Sequence, residues 1–414
     1  MKKVIVVGGG AGGLMASVTA AENGAEILLL EKKDRLGRKL LITGKGRCNV
    51  TNTANLNEFV KNIPGNGRFL FSAFNNFFNW DIRSFLEELD VPLKEERGGR
   101  IFPVSDKAID VVNAFERKLR SLAVQIKYNE TVKALQIENG KIVGVVNDKG
   151  EVYSADVVIL ATGGASYPGT GSNGEGFIMA EKAGHTIVPI LPSLVPLECE
   201  EEWIKDLQGL SLRNVSVNTL IDGKPAKKIK EMFGEMLFTH FGISGPIILS
   251  LSRAIAINLN EGKTVELAIN LKPALTREQL DKRIQRDFEK FSRKQIKNAL
   301  NELLPNKLIP VIIDLAYIDP DKFVNQINRQ ERERLLDLLQ NLVVTVTKTR
   351  PISEAIVTAG GISTKEINPK TMESKIVKDL YCVGEVVDVD GFTGGYNLQA
   401  AFSMGYTAGI NATY

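Results

Sequence analysis

Val4-Ile5-Val6-Val7-Gly8-Gly9-Gly10-Ala11-Gly12-Gly13-Leu14-Met15 is the stretch on which the fold turns. An apolar β-branched run followed at once by glycines reads as a buried strand entering a tight turn. A helix is predicted next, over Gly12–Asn23. Gly8-x-Gly10-x-x-Gly13 therefore sits between strand and helix, and each glycine has a task. Gly8 permits the turn, Gly10 lets a pyrophosphate approach the backbone, and Gly13 lets helix and strand pack closely. The helix start at Ala11 and Gly12 offers free N–H groups and positive potential to phosphate. A second strand, Glu26–Glu31, completes a βαβ unit. Its terminal Glu31 stands at the distance expected for an acid that bonds a ribose hydroxyl. Together these features predict a Rossmann-type dinucleotide site.

The motif alone does not separate NAD from FAD, but the rest of the chain does. A Gly- and Lys-rich loop runs from Gly37 to Asn52, and a long helix is predicted over Phe69–Leu89. LKEERGGRIFPV reads as a hairpin turning at Gly98-Gly99. Ser105 is a candidate N-cap for a helix reaching Leu122. After a strand near Val124–Tyr128, turns at Asn139-Gly140 and Asp148-Lys149-Gly150 mark a β-meander. It ends in the buried strand Asp156–Ala161. Leu197–Pro273 favours short strands, and Thr276–Asn341 is helical and charge-rich. Strands return at VVTVTK and EAIVTAGG, and Gln399–Asn411 reads as a closing helix.

A sheet interrupted by a meander and completed from the far C-terminus resembles the two-dinucleotide-fold flavoproteins. The resemblance implies FAD. It places Thr162 and Gly163 of Ala161-Thr162-Gly163-Gly164 near the pyrophosphate and Val132 against the adenine. It puts the acid of Gly384-Glu385 on the ribityl chain. The helix start Gly395-Tyr396-Asn397-Leu398-Gln399 would face the flavin N1/O2 edge, where its dipole stabilises the charge of a reduced flavin. A second literal match, Gly169-x-Gly171-x-x-Gly174, follows Tyr167-Pro168 and no strand, so it is set aside. No separate nicotinamide-binding unit is legible, and NAD(P)H is expected only as a transient electron donor.

Composition bounds the partners. The chain has 414 residues, 43% apolar and 24% charged, which suggests two or three ordinary globular domains. A net charge of +3 calls for neither a nucleic acid nor a membrane, so a small-molecule substrate is expected. Cys48, Cys199 and Cys382 form no CxxC pair, which argues against zinc and dithiol chemistry, and no metal site is expected. The start MKKVIVVGGG lacks the features of a signal peptide, and no stretch is apolar enough to span a bilayer. The expectation is a soluble cytoplasmic protein.

The segments GRKLLITGKGRCNVTN, GRIFPVSDKA, ATGGASYPGTGSNGEGF, FTHFGISGP and TAGGI, with GEVVDVDGFTGGYNLQAA, resemble the BaiN-like flavoproteins. These are NAD(P)/FAD-dependent oxidoreductases that include aminoacetone oxidase-like members. The resemblance implies an α/β architecture in three parts. An FAD-binding domain takes residues 1–191 and 352–414. A β-barrel-like domain takes 192–273 and 342–350. A small helical domain, 274–341, is inserted in the barrel. It implies an FAD-dependent oxidoreductase and leaves the substrate open.

Several side chains are candidates for the site. Arg38, Lys39, Lys45 and Arg47 are candidates for the pyrophosphate or an anionic substrate, Lys32 and Gly46 are further cofactor-binding candidates, and Asn49 and Asn52 read as bonding flavin edges or capping a helix. Cys48 beside Arg47 reads either as a thiolate or as a buried inert thiol. His240, in FTHFGISGP, reads as an acid or base near the flavin, or as a structural histidine under a tight turn. Tyr396 is a candidate to shield the flavin. A basic run in the helical insert, Lys282 to Lys297, keeps an RNA-modifying flavoprotein open as an alternative. A non-catalytic redox sensor is the other.

Overall fold

The computed structural model describes residues 1–414, which divide into two compact units: Met1–Leu191 with Ile352–Tyr414, and Pro192–Pro351. In the first unit, β1 (Lys3–Val7) lies at the centre of a five-stranded parallel sheet. The order is Leu380–Cys382, Val157–Leu160, β1, β2 (Glu26–Glu31) and Gln125–Tyr128. Val4 is in register with both Val157 and Ile27. The run Val4–Val7 is buried because a central parallel strand is covered on both faces.

Helix α1 (Ala11–Glu22) packs on the last helix, Tyr396–Asn411. The approach is close enough that a Cβ on Gly405 would lie 2.3 Å from the Gly12 carbonyl oxygen. The two ends of the chain are thus locked together over one core. The expected meander is present as Val132–Glu138, Lys141–Asn147 and Val152–Ser154. The expected hairpin pairs Leu93–Glu96 with Arg100–Pro103, and Thr51–Asn52 joins its other side.

Two local expectations change. The helix predicted over Phe69–Leu89 is broken into Gly67–Leu70, Phe71–Asn76 and Asn79–Glu88. The break has a cause. Phe77 is extended and its carbonyl accepts from Ser403 Oγ at 2.6 Å, while Asp81 caps the Phe78 N–H at 2.6 Å. The next helix is Ala108–Ser121 with Lys107 at its N-cap; Ser105 Oγ accepts only from Lys107 N, at 3.3 Å, in the preceding turn.

The second unit holds a closed six-stranded antiparallel barrel. Its strands follow round as Ser211–Ile221, Met232–Phe238, Gly242–Ser244, Leu197–Cys199, Leu342–Thr349 and Val265–Asn270, which returns to Ser211–Ile221. A 15-residue helix, Pro246–Asn260, interrupts the stretch read as strands. Gly245 at φ +94° and Pro246 at the first helical position start it. Arg277–Lys290, Leu308–Leu315 and Arg329–Gln340 form the helical segment. Leu280, Ile312 and Leu335 share one continuous core with Val217, Ile269 and Val344 of the barrel. No helix is long and apolar enough to cross a membrane.

Candidate functional site

The phosphate cradle is built by close packing. A Cβ on Gly13 would stand 1.9 Å from the Gly8 carbonyl oxygen, so only glycine lets α1 leave β1 this tightly. Gly8 has φ +104°, a conformation that favours glycine. A Cβ on Gly10 would meet nothing within 4 Å, so the turn faces open space where α1 begins. No side chain caps α1 and no acid lies in its first turn, which leaves its N-terminus ready for an anion. Glu31 ends β2 as expected. It accepts from Gly9 N and Lys33 N, both at 2.8 Å. Burial pushes its carboxyl up, against those two N–H groups and the charge of Lys32.

The N- and C-terminal motifs converge here. A Cβ on Gly12 would lie 3.2 Å from Val383 Cγ2 and 3.6 Å from Gly384 N. At the end of Val157–Leu160, Thr162 Oγ1 is buried without a partner, and Gly163 takes φ +73°. Val132 is buried at the start of its strand, beside a bulge. The final helix starts at Gly395, φ +96°, with no acid in its first turn. A glycine cradle, two uncapped helix starts, a ribose-type acid and an orphaned hydroxyl are the donor set that FAD needs, and the residues fit it.

The cations are more engaged than the sequence suggested. Lys32 pairs with Glu175 at 2.6 Å and Arg38 with Asp34 at 3.0 Å. Arg47 bonds Glu96 at 2.7 Å and Asp106 at 3.3 Å, and stacks 4.1 Å from the Phe102 ring centroid. These pairs raise the Arg47 pKa, chiefly through the Glu96 hydrogen bond. Arg47 and Arg38 thus brace the loop, and Gly46 at φ +84° lies in its exposed turn.

Lys39 reaches across to the other end of the chain. Its Nζ lies 2.5 Å from Glu385 Oε2 and 2.6 Å from Ser166 Oγ. Glu385 also accepts from Thr358 N at 2.7 Å and Ser166 Oγ at 3.0 Å. Burial opposes its charge, yet Lys39 and these donors hold its carboxyl below the ordinary value. Thr358 Oγ1 in turn accepts from Ala165 N and Ser166 N. Glu385, expected as a ribityl ligand, is the hub of this network.

Asn49 likewise supports the site from behind. In its hydrogen-bonded orientation the amide donates to the carbonyls of Thr51 and Ile101 and accepts from Gly395 N at 3.0 Å. Asn397 accepts from Gly391 N and donates to the Gly391 and Phe392 carbonyls, closing the loop before the helix, and Leu398 follows in its first turn. Tyr396 turns into the core, with its ring 4.7 Å from Phe59 in an edge contact. Burial, then Glu58, raises its pKa. Gln399, the last residue of the expected helix-start motif, accepts from Thr51 Oγ1 and donates to Ser403 Oγ. Thr358, Ser166 and Gln399 lie within the segments TAGGI, ATGGASYPGTGSNGEGF and GEVVDVDGFTGGYNLQAA, but only the fold brings them to the acid and the helix start.

Cys48 is fully buried at φ +61°, and burial pushes its thiol up to about 12. With Arg47 turned onto Glu96, the thiolate expectation gives way to a buried, protonated thiol. His240 belongs to the barrel unit. It is exposed in the turn between Met232–Phe238 and Gly242–Ser244, its ring edge-on to Phe241 at 4.9 Å.

Comparison with known proteins extends this geometry. The family model described as HI0933-like protein Rossmann domain matches residues 2–411. The 3-dehydro-bile acid delta(4,6)-reductase of Clostridium scindens is 33% identical, over 99% of this chain and 98% of its own. The ribosomal RNA dihydrouridine synthase of Haemophilus influenzae is 30% identical, over 98% of this chain and 97% of its own. Among solved structures, the 3-ketosteroid-delta4-(5alpha)-dehydrogenase of Rhodococcus jostii superposes with a TM-score of 0.54 at 15% identity, covering 100% of this chain and 97% of that one. At that identity the likeness shows the fold alone.

Proposed function

Because the chain belongs to the HI0933-like family of Rossmann flavoproteins and is an FAD-dependent oxidoreductase, we propose that it saturates a carbon–carbon double bond conjugated to a carbonyl, with electrons from NADH or NADPH. One observation carries this reading. Two relatives aligned along almost the whole chain are named for reactions that share this step. A 3-oxo group beside a Δ4 bond is a conjugated enone, and dihydrouridine is uridine saturated at the bond conjugated to its C4 carbonyl. When bound, FAD supplies the two-electron relay, taking a hydride from the donor and delivering one to the electron-poor carbon.

The chain supplies the rest. The open turn at Gly10 and the uncapped α1 hold the diphosphate. The Gly395 helix start offers positive potential to the negative charge that develops on reduction. Saturation also needs a proton for the second carbon. The test is product analysis after anaerobic incubation with NADPH or NADH and a cyclic enone. The expected result is product with two added hydrogens. Unchanged enone with fully reduced flavin rejects the reaction class.

A second reading keeps the chemistry and changes the carrier: the double bond is that of a uracil in RNA. The observation favouring it is the likeness, along almost the whole chain, to two ribosomal RNA dihydrouridine synthases.

A further inference from the structure

The charge of this chain sums to little, but it is unevenly placed. The basic helical run Lys282 to Lys297 is partly neutralised. Arg283 pairs with Asp287 at 2.7 Å and Lys290 with Glu302 at 2.7 Å, while Lys297 pairs with Asp321. The excursion between barrel strands Ser211–Ile221 and Met232–Phe238 differs. Lys224, Lys227, Lys228 and Lys230 fall within seven residues that contain no acid, and they outnumber the flanking acids Asp222 and the exposed Glu231. All four are exposed, and none makes an ion pair. The flanking Asp222 is occupied by the Thr264 N–H and hydroxyl, both at 3.1 Å. Three residues past Lys230, Phe233 is 64% exposed on its strand.

A solvated sheet edge explains part of this. Lys224–Pro225 pairs at the margin of the barrel sheet, where lysine and proline discourage further strand pairing. Edge protection does not extend to Lys227, Lys228 and Lys230, which lie outside the edge strand, or to the exposed Phe233 ring three residues further along the chain. Unpaired ammonium groups next to an exposed aromatic are what a flexible polyanion with stackable bases is bound by.

We propose that this excursion, Lys224 to Lys230 with Phe233, is an RNA-binding surface: the lysines contact phosphates and Phe233 stacks on an unpaired base. This rests on the RNA reading of the function.

The test is filter binding of a uridine-containing stem-loop RNA by the flavin-loaded full chain, across a salt series. Three proteins are compared: wild type, the fourfold variant K224Q/K227Q/K228Q/K230Q, and F233A. Wild-type binding should weaken steeply with salt. The fourfold variant should bind at least about tenfold more weakly, with a log–log salt slope shallower by roughly 0.7 for each phosphate that is no longer neutralised. F233A should bind more weakly at unchanged slope. Flavin content and nicotinamide-driven bleaching should match wild type in both variants, which separates a surface effect from misfolding. If wild type binds and the variants bind equally well, the surface assignment is overturned while the RNA reading stands. If wild type fails to bind at low salt, both fall. Binding to anionic lipid vesicles in place of RNA also overturns the proposal.

Discussion

Lys39 Nζ lies 2.5 Å from Glu385 Oε2, joining the helix Arg38–Ile42 after β2 to the turn after the last sheet strand, 346 positions away. The pair sits where α/β sheets bind their ligands, at the carboxyl ends of the parallel strands. It links three segments that must close together round a dinucleotide. Glu385→Gln leaves the ammonium without its counter-charge and should lower stability by about 3 kcal/mol. It should also weaken FAD retention. Melting temperature and flavin released on gel filtration measure both; an unchanged variant contradicts the hub role.

Acid should act through the same residue. The folded carboxyl of Glu385 is held below its ordinary value. Its contribution is therefore complete above the unfolded value of about 4.3 and is lost as pH falls through the lower folded value. Stability and flavin retention in wild type should decline on acidification below that range. Glu385→Gln should show a flatter decline, read by flavin fluorescence against pH.

Gly13→Ala places a methyl group 1.9 Å from the Gly8 carbonyl oxygen. The backbone must shift, at a cost of about 1–3 kcal/mol, and the cradle opens with it. The purified variant should be colourless or lose FAD on dialysis. A fully yellow, equally stable variant contradicts the packing argument.

Cys48, buried and with its thiol pushed up to about 12, should resist iodoacetamide at pH 8 until the protein unfolds. Cys48→Ser should retain nicotinamide-driven bleaching. Rapid alkylation of native protein at this position, with loss of turnover, would restore a thiolate role.

Asn49 and Tyr396 separate support from contact. Asn49→Ala strands the Gly395 N–H and should cost about 1–3 kcal/mol while shifting the flavin absorption band. Tyr396→Phe keeps the ring on Phe59 and should leave the spectrum and the rate of bleaching unchanged.

Much of this was legible in residue pattern. The run Val4–Val7, the three glycines and Glu31 form a local grammar, because strand, turn and helix start lie within a few residues of one another. The closing helix was legible for the same reason. The loop cations were not, since acids such as Glu96, Glu175 and Glu385 reach Arg47, Lys32 and Lys39 only through tertiary folding. The break at Phe77 was hidden likewise, because the serine that takes its carbonyl lies 326 positions on. Helix Pro246–Asn260 did carry a signal in Gly245-Pro246, outweighed by the β-branched and aliphatic residues around it.

The most direct test is an anaerobic titration of the yellow protein with NADH or NADPH, followed by a conjugated enone or the uridine-containing RNA. One nicotinamide should bleach the flavin band, and an acceptor with a carbonyl-conjugated double bond should restore it without oxygen. Flavin that neither nicotinamide reduces, or that stays bleached with every such acceptor, contradicts the proposed reaction.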